Sequence, residues 1–366
     1  MEGYWQMLGR SFRSAAVAAT LLVAGCGGRP HVPRDTSPTA SPAYPECRLD
    51  AAVDWITGWF NTWEFTSEKV LGVGESAPPE IVFYDASCVY TTSQVTAGGG
   101  AGAGSRPALH GRNLPWRALK HDDVITLPDS SRVPVQLMAF AAPGSGAGAF
   151  FVMAAPELWA EAGIDSEQLG RERLLTAVFL HEFAHTLQIP GFQGVIGPID
   201  EEWTFSEELS DDVVQERFGA DSAYAAAYEA ERDLLYRAAD AGSLDEARAL
   251  AAEALAMMKA RHSQWLTEES EVFAILDDAF LSFEGAGQWV GYAWLAHPSG
   301  GGVRPDLALA GMRRDGRRWT QDEGLALFLV MDRLLPSWPS RVFGNRPAGA
   351  VELLEEAIRV DGSRNR

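Results

Sequence analysis

The stretch FLHEFAHTLQ, from Phe179 to Gln188, sets three polar side chains at a fixed spacing into an apolar segment. His181 and His185 are four residues apart, so on a helix they project from one face. Glu182 directly follows the first histidine. Because burying imidazole and carboxylate groups without partners costs free energy, this spacing predicts that the three side chains share a function.

The helix that carries these residues is predicted from the apolar periodicity around them. Ser166 is a suitable N-cap residue, and the helical pattern continues through SEQLGRERLLTAVFLHEFAHTLQ. Pro190 and Gly191 follow, and both residue types are typical of a helix end. We therefore expect one helix that begins near Ser166 and stops before Pro190.

The segments before this helix predict strands, and those after it predict helices. EIVFYD, CVYTTS and GAFFVMAAP have the composition of strands, and DDVITLPDSSRVPVQLMAF is typical of a hairpin that turns at PDSS. A helix is expected ahead of them, from Leu49 to Val70. Helical patterns occupy most of the chain between Glu207 and Trp338. Residues 47–366 are thus expected to form one α+β domain, with a small mixed or antiparallel sheet followed by a predominantly helical half.

The first 46 residues have the composition of an export signal and a tether. Arg10 and Arg13 precede SAAVAATLLVAG, which is short for a membrane span, and LVAGC places small residues directly before Cys26. This arrangement resembles a bacterial lipoprotein signal, which implies cleavage before Cys26 and a lipid anchor on that residue. Residues 1–25 are then the signal peptide, and residues 26–46, rich in Pro, Ser and Thr, are an extended tether. An ordinary secretory signal is the alternative.

Charge and cysteine content agree with a location in the bacterial cell envelope. The net charge of −20 argues against nucleic acid or an anionic membrane surface as a partner. Without Cys26, two cysteines remain, Cys47 and Cys88. An even number of cysteines in an oxidising compartment predicts a disulfide between them, with two buried thiols as the alternative.

Two imidazoles on one helix face are suitable ligands for Zn²⁺, and Glu182 is placed to act on a water molecule beside the metal. Zinc acidifies water and polarises a carbonyl group, while a neighbouring carboxylate passes the proton of the water to the leaving amine. HEFAH matches the HExxH signature in full and resembles that of the zincin metallopeptidases. The resemblance implies a zincin-like fold, zinc ligands at His181 and His185, Glu182 as general base, and a peptide or protein substrate.

A catalytic zinc ion needs a third protein ligand, and two segments offer one. Glu284 in AFLSFEGAGQWVGYAWL is a single carboxylate in a long apolar helix, where an unpaired charge is costly. HTLQ and EGAG are similar to segments of HExxH proteins whose third ligand comes from a later Glu-Gly-x-Ala-like sequence. Glu207 lies four residues before Asp211, a spacing similar to that of the thermolysin-like gluzincins, and Glu208 and Asp212 repeat it.

The need to neutralise a buried carboxylate favours Glu284 as the third ligand. Gln288 and Tyr292 follow Glu284 at intervals of four residues and extend a polar stripe along the same helix face. Tyr292 is expected to stabilise the oxyanion of the tetrahedral intermediate, as tyrosine does in related sites. Gly285 and Gly287 leave room for another helix to approach closely.

These features together predict a lipid-anchored zinc metallopeptidase of gluzincin type that hydrolyses peptide bonds; the oligomeric state is not determined by the sequence. Three alternatives remain open. The chain can be a non-catalytic envelope lipoprotein that keeps the scaffold with a structural metal, or a hydrolase acting on cell-wall peptides or another amide. Glu284 can also be one half of a buried salt bridge, for example to Arg232.

Overall fold

The computed structural model describes residues 47–98, 106–144, 148–314, 316–344 and 347–359. The predicted signal peptide, the tether and the lipid anchor on Cys26 lie outside the described residues. Within those ranges, no helix combines the length and the apolar character needed to cross a membrane.

The N-terminal part of the described chain contains a five-stranded sheet and two short ribbons. The strands are β1 (Glu80–Tyr84), β2 (Cys88–Thr91), β3 (Ala108–Leu109), β4 (Arg112–Asn113), β5 (Arg117–Lys120), β6 (Val124–Thr126), β7 (Arg132–Pro134), β8 (Ala139–Pro143) and β9 (Ala149–Ala154). The sheet has the order β5-β2-β1-β9-β8, in which β1 and β9 are parallel and the other neighbours are antiparallel. The ribbons are β3-β4 and β6-β7, and the second turns at the predicted PDSS. The sheet is therefore small and mixed, as predicted.

The remainder is mostly helical. The helices are α1 (Val53–Phe65), which continues as a π-helical turn over Thr66–Leu71, α2 (Pro156–Glu161), α3 (Arg171–Glu201), α4 (Val213–Phe218), α5 (Ser222–Asp240), α6 (Leu244–Trp265), α7 (Val272–Ala296), α8 (Pro305–Met312), α9 (Trp319–Leu334), α10 (Pro339–Val342) and α11 (Ala350–Arg359). A continuous hydrophobic cluster joins α1 and the sheet to α3, α7, α9 and α11. The α+β class is confirmed.

Aromatic packing fixes the orientation of α3. Phe179 stacks on Trp59 of α1, with the ring centroids 5.3 Å apart, and Phe183 meets Phe151 of β9 edge-on at 5.2 Å. Side chains two residues apart on a helix point to opposite sides. The two histidines of HEFAH therefore face away from the sheet.

The prediction that this helix stops before Pro190 is wrong, because α3 continues through Pro190 to Glu201. A proline inside a helix costs about 3 kcal/mol, since it removes a backbone hydrogen bond. Phe192 and Ile196 lie beyond Pro190 and are buried in an apolar cluster. Their burial, at about 1.5–3 kcal/mol each, offsets a loss of that size.

The start of α3 also differs from the prediction. Ser166 Oγ accepts a hydrogen bond from the Leu169 N–H, but it closes a turn ahead of the helix. Gly170 has a φ of 73°, a left-handed conformation that interrupts the helical path. The helix therefore begins at Arg171.

Helices α7 and α9 meet backbone to backbone. A Cβ atom on Gly285 of α7 would lie 2.5 Å from the Cα atom of Gly324 of α9, so neither position has room for a side chain. The expectation that glycine at 285 admits another helix is confirmed. The close approach sets the first turn of α9 beside the middle of α7.

A disulfide and a buried ionic cluster each connect segments that are separate in the sequence. Cys47 and Cys88 are bonded with their Cα atoms 5.6 Å apart, which confirms the predicted disulfide. Arg261 of α6 is 1% exposed, and it donates to Glu231 of α5 at 2.6 Å and to Asp277 of α7 at 3.0 Å. The cluster thereby ties α5, α6 and α7 together in the interior.

Candidate metal centre

His181, Glu182 and His185 form a buried group that could hold a metal ion. Each of the three residues is at most 2% exposed. The two Nε2 atoms lie 3.0 Å apart, and the rings are almost perpendicular. The spacing of the histidines on α3 therefore produces the convergence that the sequence predicts.

Glu284 of α7 completes the group from the opposite side. Its Oε2 atom is 3.2 Å from His181 Nε2, and its Oε1 atom is 3.5 Å from His185 Nε2. Burial acts to raise the pKa of Glu284, but His185, His181 and a hydrogen bond from Gln321 outweigh it and lower that pKa. The Glu284 carboxylate is therefore ionised at neutral pH.

Two glutamine side chains fix the tautomers of the imidazoles. His185 Nδ1 faces Gln188 Oε1 at 2.8 Å, and His181 Nδ1 faces Gln288 Oε1 at 3.1 Å. Each glutamine uses its NH₂ group to donate to a backbone carbonyl, so its oxygen points at the ring. Both Nδ1 atoms are therefore the donors in these contacts, and in a neutral ring a proton on Nδ1 leaves Nε2 with a lone pair.

The group therefore brings together nitrogen and oxygen atoms that can each donate a lone pair to a metal ion. Burial lowers the pKa of His185 to about 4, so this ring is neutral at neutral pH. A neutral imidazole protonated at Nδ1 cannot donate from Nε2, either to the other ring or to Glu284. Two imidazole nitrogens and a carboxylate that converge in this way suit a divalent cation.

Glu182 adjoins the group without a partner of its own. Both of its carboxyl oxygens are buried and accept no hydrogen bond from the described residues. Its Oε1 atom is 4.0 Å from His181 Nε2. Burial raises the pKa of Glu182 well above its usual value, and the charges of Glu284 and Asp211 add to this rise. Glu182 is therefore a buried carboxyl group beside the imidazoles whose oxygens are left without a partner by the described residues.

A chain of polar side chains that the sequence analysis missed reaches the group from α9. Gln321 Nε2 donates to Glu284 Oε2 at 2.9 Å, and Arg314 Nε donates to Gln321 Oε1 at 2.9 Å. Asp211 is buried nearby, and burial and the Glu284 charge raise its pKa to about 8. In the sequence, these contacts are indicated only by the polar run TQDE at 320–323, which precedes an apolar segment. The run has the composition of an exposed first helical turn, but all four residues are buried.

The other predicted site residues lie elsewhere. Glu207 is paired with Arg217 at 2.9 Å on the protein surface, and Glu208 is exposed. Tyr292 lies two turns along α7 from Glu284, about 12 Å along the helix axis, and is partly buried. Burial and the charge of Asp332 raise the pKa of Tyr292. The structure thus brings Glu284 to the histidines, and it does not bring Glu207, Glu208 or Tyr292 into the group.

The alternative partner for Glu284 is also occupied elsewhere. Arg232 pairs with Asp233 at 2.8 Å and with Asp322 at 3.3 Å. Among the residues that the structure describes, it makes no ion pair with Glu284. Arg232 is therefore not the partner that neutralises the Glu284 carboxylate.

Apolar residues enclose one side of the centre. The Phe283 ring stacks on His185 with a centroid distance of 3.9 Å, and beyond it lies a cavity of about 10 Å³ lined by residues that include Ile189 and Phe192. A cavity of about 300 Å³ is lined by Trp55 and Tyr90, among others, and none of its lining residues belongs to the centre. The centre is thus an interior feature and not the floor of that cavity.

No family model matches this chain, and neither the curated proteins nor the solved structures contain a significant match.

Proposed function

We propose that this protein is a zinc-dependent metallohydrolase that cleaves peptide or other amide bonds, with the zinc ion held by His181, His185 and Glu284. The carrying observation is the convergence of the two imidazole Nε2 atoms and the Glu284 carboxylate, with separations of 3.0, 3.2 and 3.5 Å. Zinc bonds of about 2.0–2.1 Å in a tetrahedral arrangement separate the ligand atoms by about 3.4 Å. The observed separations match that value closely.

A zinc ion at this position would lower the pKa of a water molecule and polarise the carbonyl group of the substrate. With zinc bound, Glu182 would take up a proton from water and return it to the leaving amine. Its two unpartnered oxygens, beside His181, support this role, because a purely structural metal needs no such acceptor. Gln188 and Gln288 keep both imidazoles in the tautomer that presents Nε2.

The centre is of gluzincin type in this proposal, and the fold of residues 47–366 is zincin-like. The full match of HEFAH to the HExxH signature supports both assignments. The chain is a lipoprotein of the bacterial envelope, with residues 1–25 removed, a lipid anchor on Cys26 and a tether to residue 46. The sequence LVAGC and the Cys47–Cys88 disulfide support this location.

The complete burial of the centre supports a second candidate function, in which the metal is structural and the protein does not catalyse. His181, Glu182, His185 and Glu284 are at most 2% exposed, and closed sites of this kind contribute folding energy outright. The two candidates share the metal and differ in the role of Glu182.

The first experiment measures zinc per chain in the protein without its anchor, residues 27–366, alone and with Glu284→Ala. Glu207→Ala is the matched control, because Glu207 is a glutamate at the surface that is outside the centre. We expect about one zinc ion in the unmodified protein and in Glu207→Ala, and none in a folded Glu284→Ala. An unmodified protein that binds no zinc after reconstitution refutes the metal centre.

The second experiment separates catalysis from structure. Zinc-loaded protein and its Glu182→Gln variant are incubated with a peptide library, and cleavage is followed by mass spectrometry. For a hydrolase we expect Glu182→Gln to keep its zinc and to lose about 10²–10⁴-fold in rate. A zinc-loaded, folded protein that cleaves nothing identifies the structural candidate.

A further inference from the structure

A cation adjoins the proposed zinc centre. Arg314 lies between α8 and α9 and is partly exposed. Its Nε atom donates to Gln321 Oε1 at 2.9 Å, and Gln321 donates to Glu284 Oε2 at 2.9 Å. The path from Arg314 Nε to the ligand oxygen is therefore two hydrogen bonds and one amide group, at most about 8 Å.

The terminal nitrogens of Arg314 have no protein partner among the described residues. Its Nε–H is used by Gln321, and no described carboxylate lies within ion-pairing distance of the guanidinium. Neighbouring arginines differ in this respect: Arg313 Nε is 3.6 Å from Asp322, and Arg318 pairs with Asp212. Arg314 thus keeps four N–H donors that the described residues leave unused.

The charge of Arg314 nevertheless acts on the centre. It opposes the rise in the pKa of Glu182. Burial lowers the pKa of Arg314, and the charge of Glu284 acts in the opposite direction. The chain as a whole carries a net charge of −20 and repels anions at long range. A substrate with a negative group near the reacting bond therefore needs a local cation.

We propose that Arg314 binds a carboxylate of the substrate, so that the centre acts on peptides with a free carboxylate one or two residues beyond the cleaved amide. The planar guanidinium with two free terminal nitrogens matches a carboxylate in a bidentate arrangement. One residue of extended chain spans about 3.3–3.8 Å, so a path of about 8 Å corresponds to one or two residues. This substrate class rests on the hydrolytic zinc centre proposed above.

The test uses the zinc-loaded Glu182→Gln protein, which binds without cleaving. Its affinity is measured by fluorescence anisotropy for dansyl-Ala-Ala-Phe with a free carboxylate and for the same peptide as its carboxamide. The comparison is repeated after adding Arg314→Gln, Arg314→Lys or, as the matched control, Arg317→Gln. Arg317 is an exposed arginine in the same segment. Zinc content is measured on every sample.

We expect the acid to bind at least about tenfold more tightly than the amide. Arg314→Gln should bring the ratio to about one without loss of zinc, Arg314→Lys should keep part of the preference, and Arg317→Gln should keep all of it. Equal binding of acid and amide, or no measurable binding of either, overturns the proposal. So does a preference that survives in Arg314→Gln. A loss of zinc in Arg314→Gln would show that Arg314 only supports Glu284, whereas absence of zinc from the unmodified protein would refute the centre itself.

Discussion

A methyl group at position 287 should disturb the metal centre without removing a ligand. Gly287 faces the two imidazoles, and a Cβ atom there would lie 2.9 Å from His185 Cε1 and 3.0 Å from His181 Cε1. Carbon atoms pack at about 3.5–4.0 Å, so in Gly287→Ala the rings must retreat by about 0.5–1 Å. Metal sites tolerate changes in ligand distance of only about 0.2 Å.

The expected effect follows from these distances. Changing a residue that orients a metal ligand lowers the metal affinity about 10–100-fold. A factor of ten corresponds to about 1.4 kcal/mol. Overpacking costs about 1–3 kcal/mol of folding free energy, while replacing glycine by alanine in a helix returns about 1 kcal/mol. Gly287→Ala should therefore weaken zinc binding at least tenfold but destabilise the metal-free fold by no more than about 2 kcal/mol.

The assay is a competition titration with a chromophoric zinc chelator, together with urea unfolding of the metal-free protein. Gly194→Ala is the matched control, because Gly194 lies on α3 and an added Cβ there meets nothing within 4 Å. The control should keep its zinc affinity and gain slightly in stability. If Gly287→Ala binds zinc as tightly as the unmodified protein, then His181 and His185 do not hold the metal in the arrangement described.

Three further predictions concern the scaffold. Replacing Cys47 and Cys88 by serine should lower the free energy of unfolding by about 4 kcal/mol, since the disulfide closes a loop of 41 residues; a loss below about 1 kcal/mol in urea unfolding would contradict this. Arg261→Leu should destabilise the fold by about 3–5 kcal/mol, because it leaves buried carboxylates without their cation, and an unchanged melting temperature would refute the estimate. Glu323→Gln should be as stable as the parent at about pH 4 and more stable at about pH 8. Burial and the charge of Glu231 raise the pKa of Glu323. The folded state therefore keeps a proton that the unfolded state releases above the usual pKa of glutamate, and the parent protein loses stability as the pH rises. Urea unfolding at both pH values tests this sign.

The sequence could predict the parts of the centre that depend on local spacing. A spacing of four residues suffices to place the rings of His181 and His185 on one face, and a lone carboxylate in an apolar helix indicates that Glu284 needs a partner. Gln288, which the spacing of four places on the same helix face as Glu284, contacts His181. In each case the energetic requirement of a buried polar group can be read from its immediate neighbours.

What the sequence could not predict depends on contacts between distant segments. Gln321 touches Glu284 only because Gly285 and Gly324 let α7 and α9 meet backbone to backbone. The sequence around each glycine does not indicate which helix packs against it. The TQDE run has the composition of an ordinary first helical turn, because acidic residues are favourable near the N-terminus of a helix. Its burial follows from the packing of α9 on α7 and cannot be predicted from this composition.

The extent of α3 illustrates a second limit. Local rules place a helix end at Pro190 and Gly191. Gly191 instead lies against the ring of Pro347, a residue more than 150 positions away, where a Cβ atom would collide with it. The packing of that distant segment and of the apolar residues after Pro190 decides the length of the helix, and tertiary contacts of this kind leave no signal in a local window.

The burial of the centre also governs how a metal enters and leaves it. His181, Glu182, His185 and Glu284 are at most 2% exposed, so a chelator reaches an ion among them only when the surrounding helices open. The rate of metal loss is then the rate of opening, and above a threshold it no longer depends on how much chelator is present. Loading is coupled to folding for the same reason. Exchange of a metal ion bound there would accordingly be limited by the same opening of the helices, whichever ion is bound.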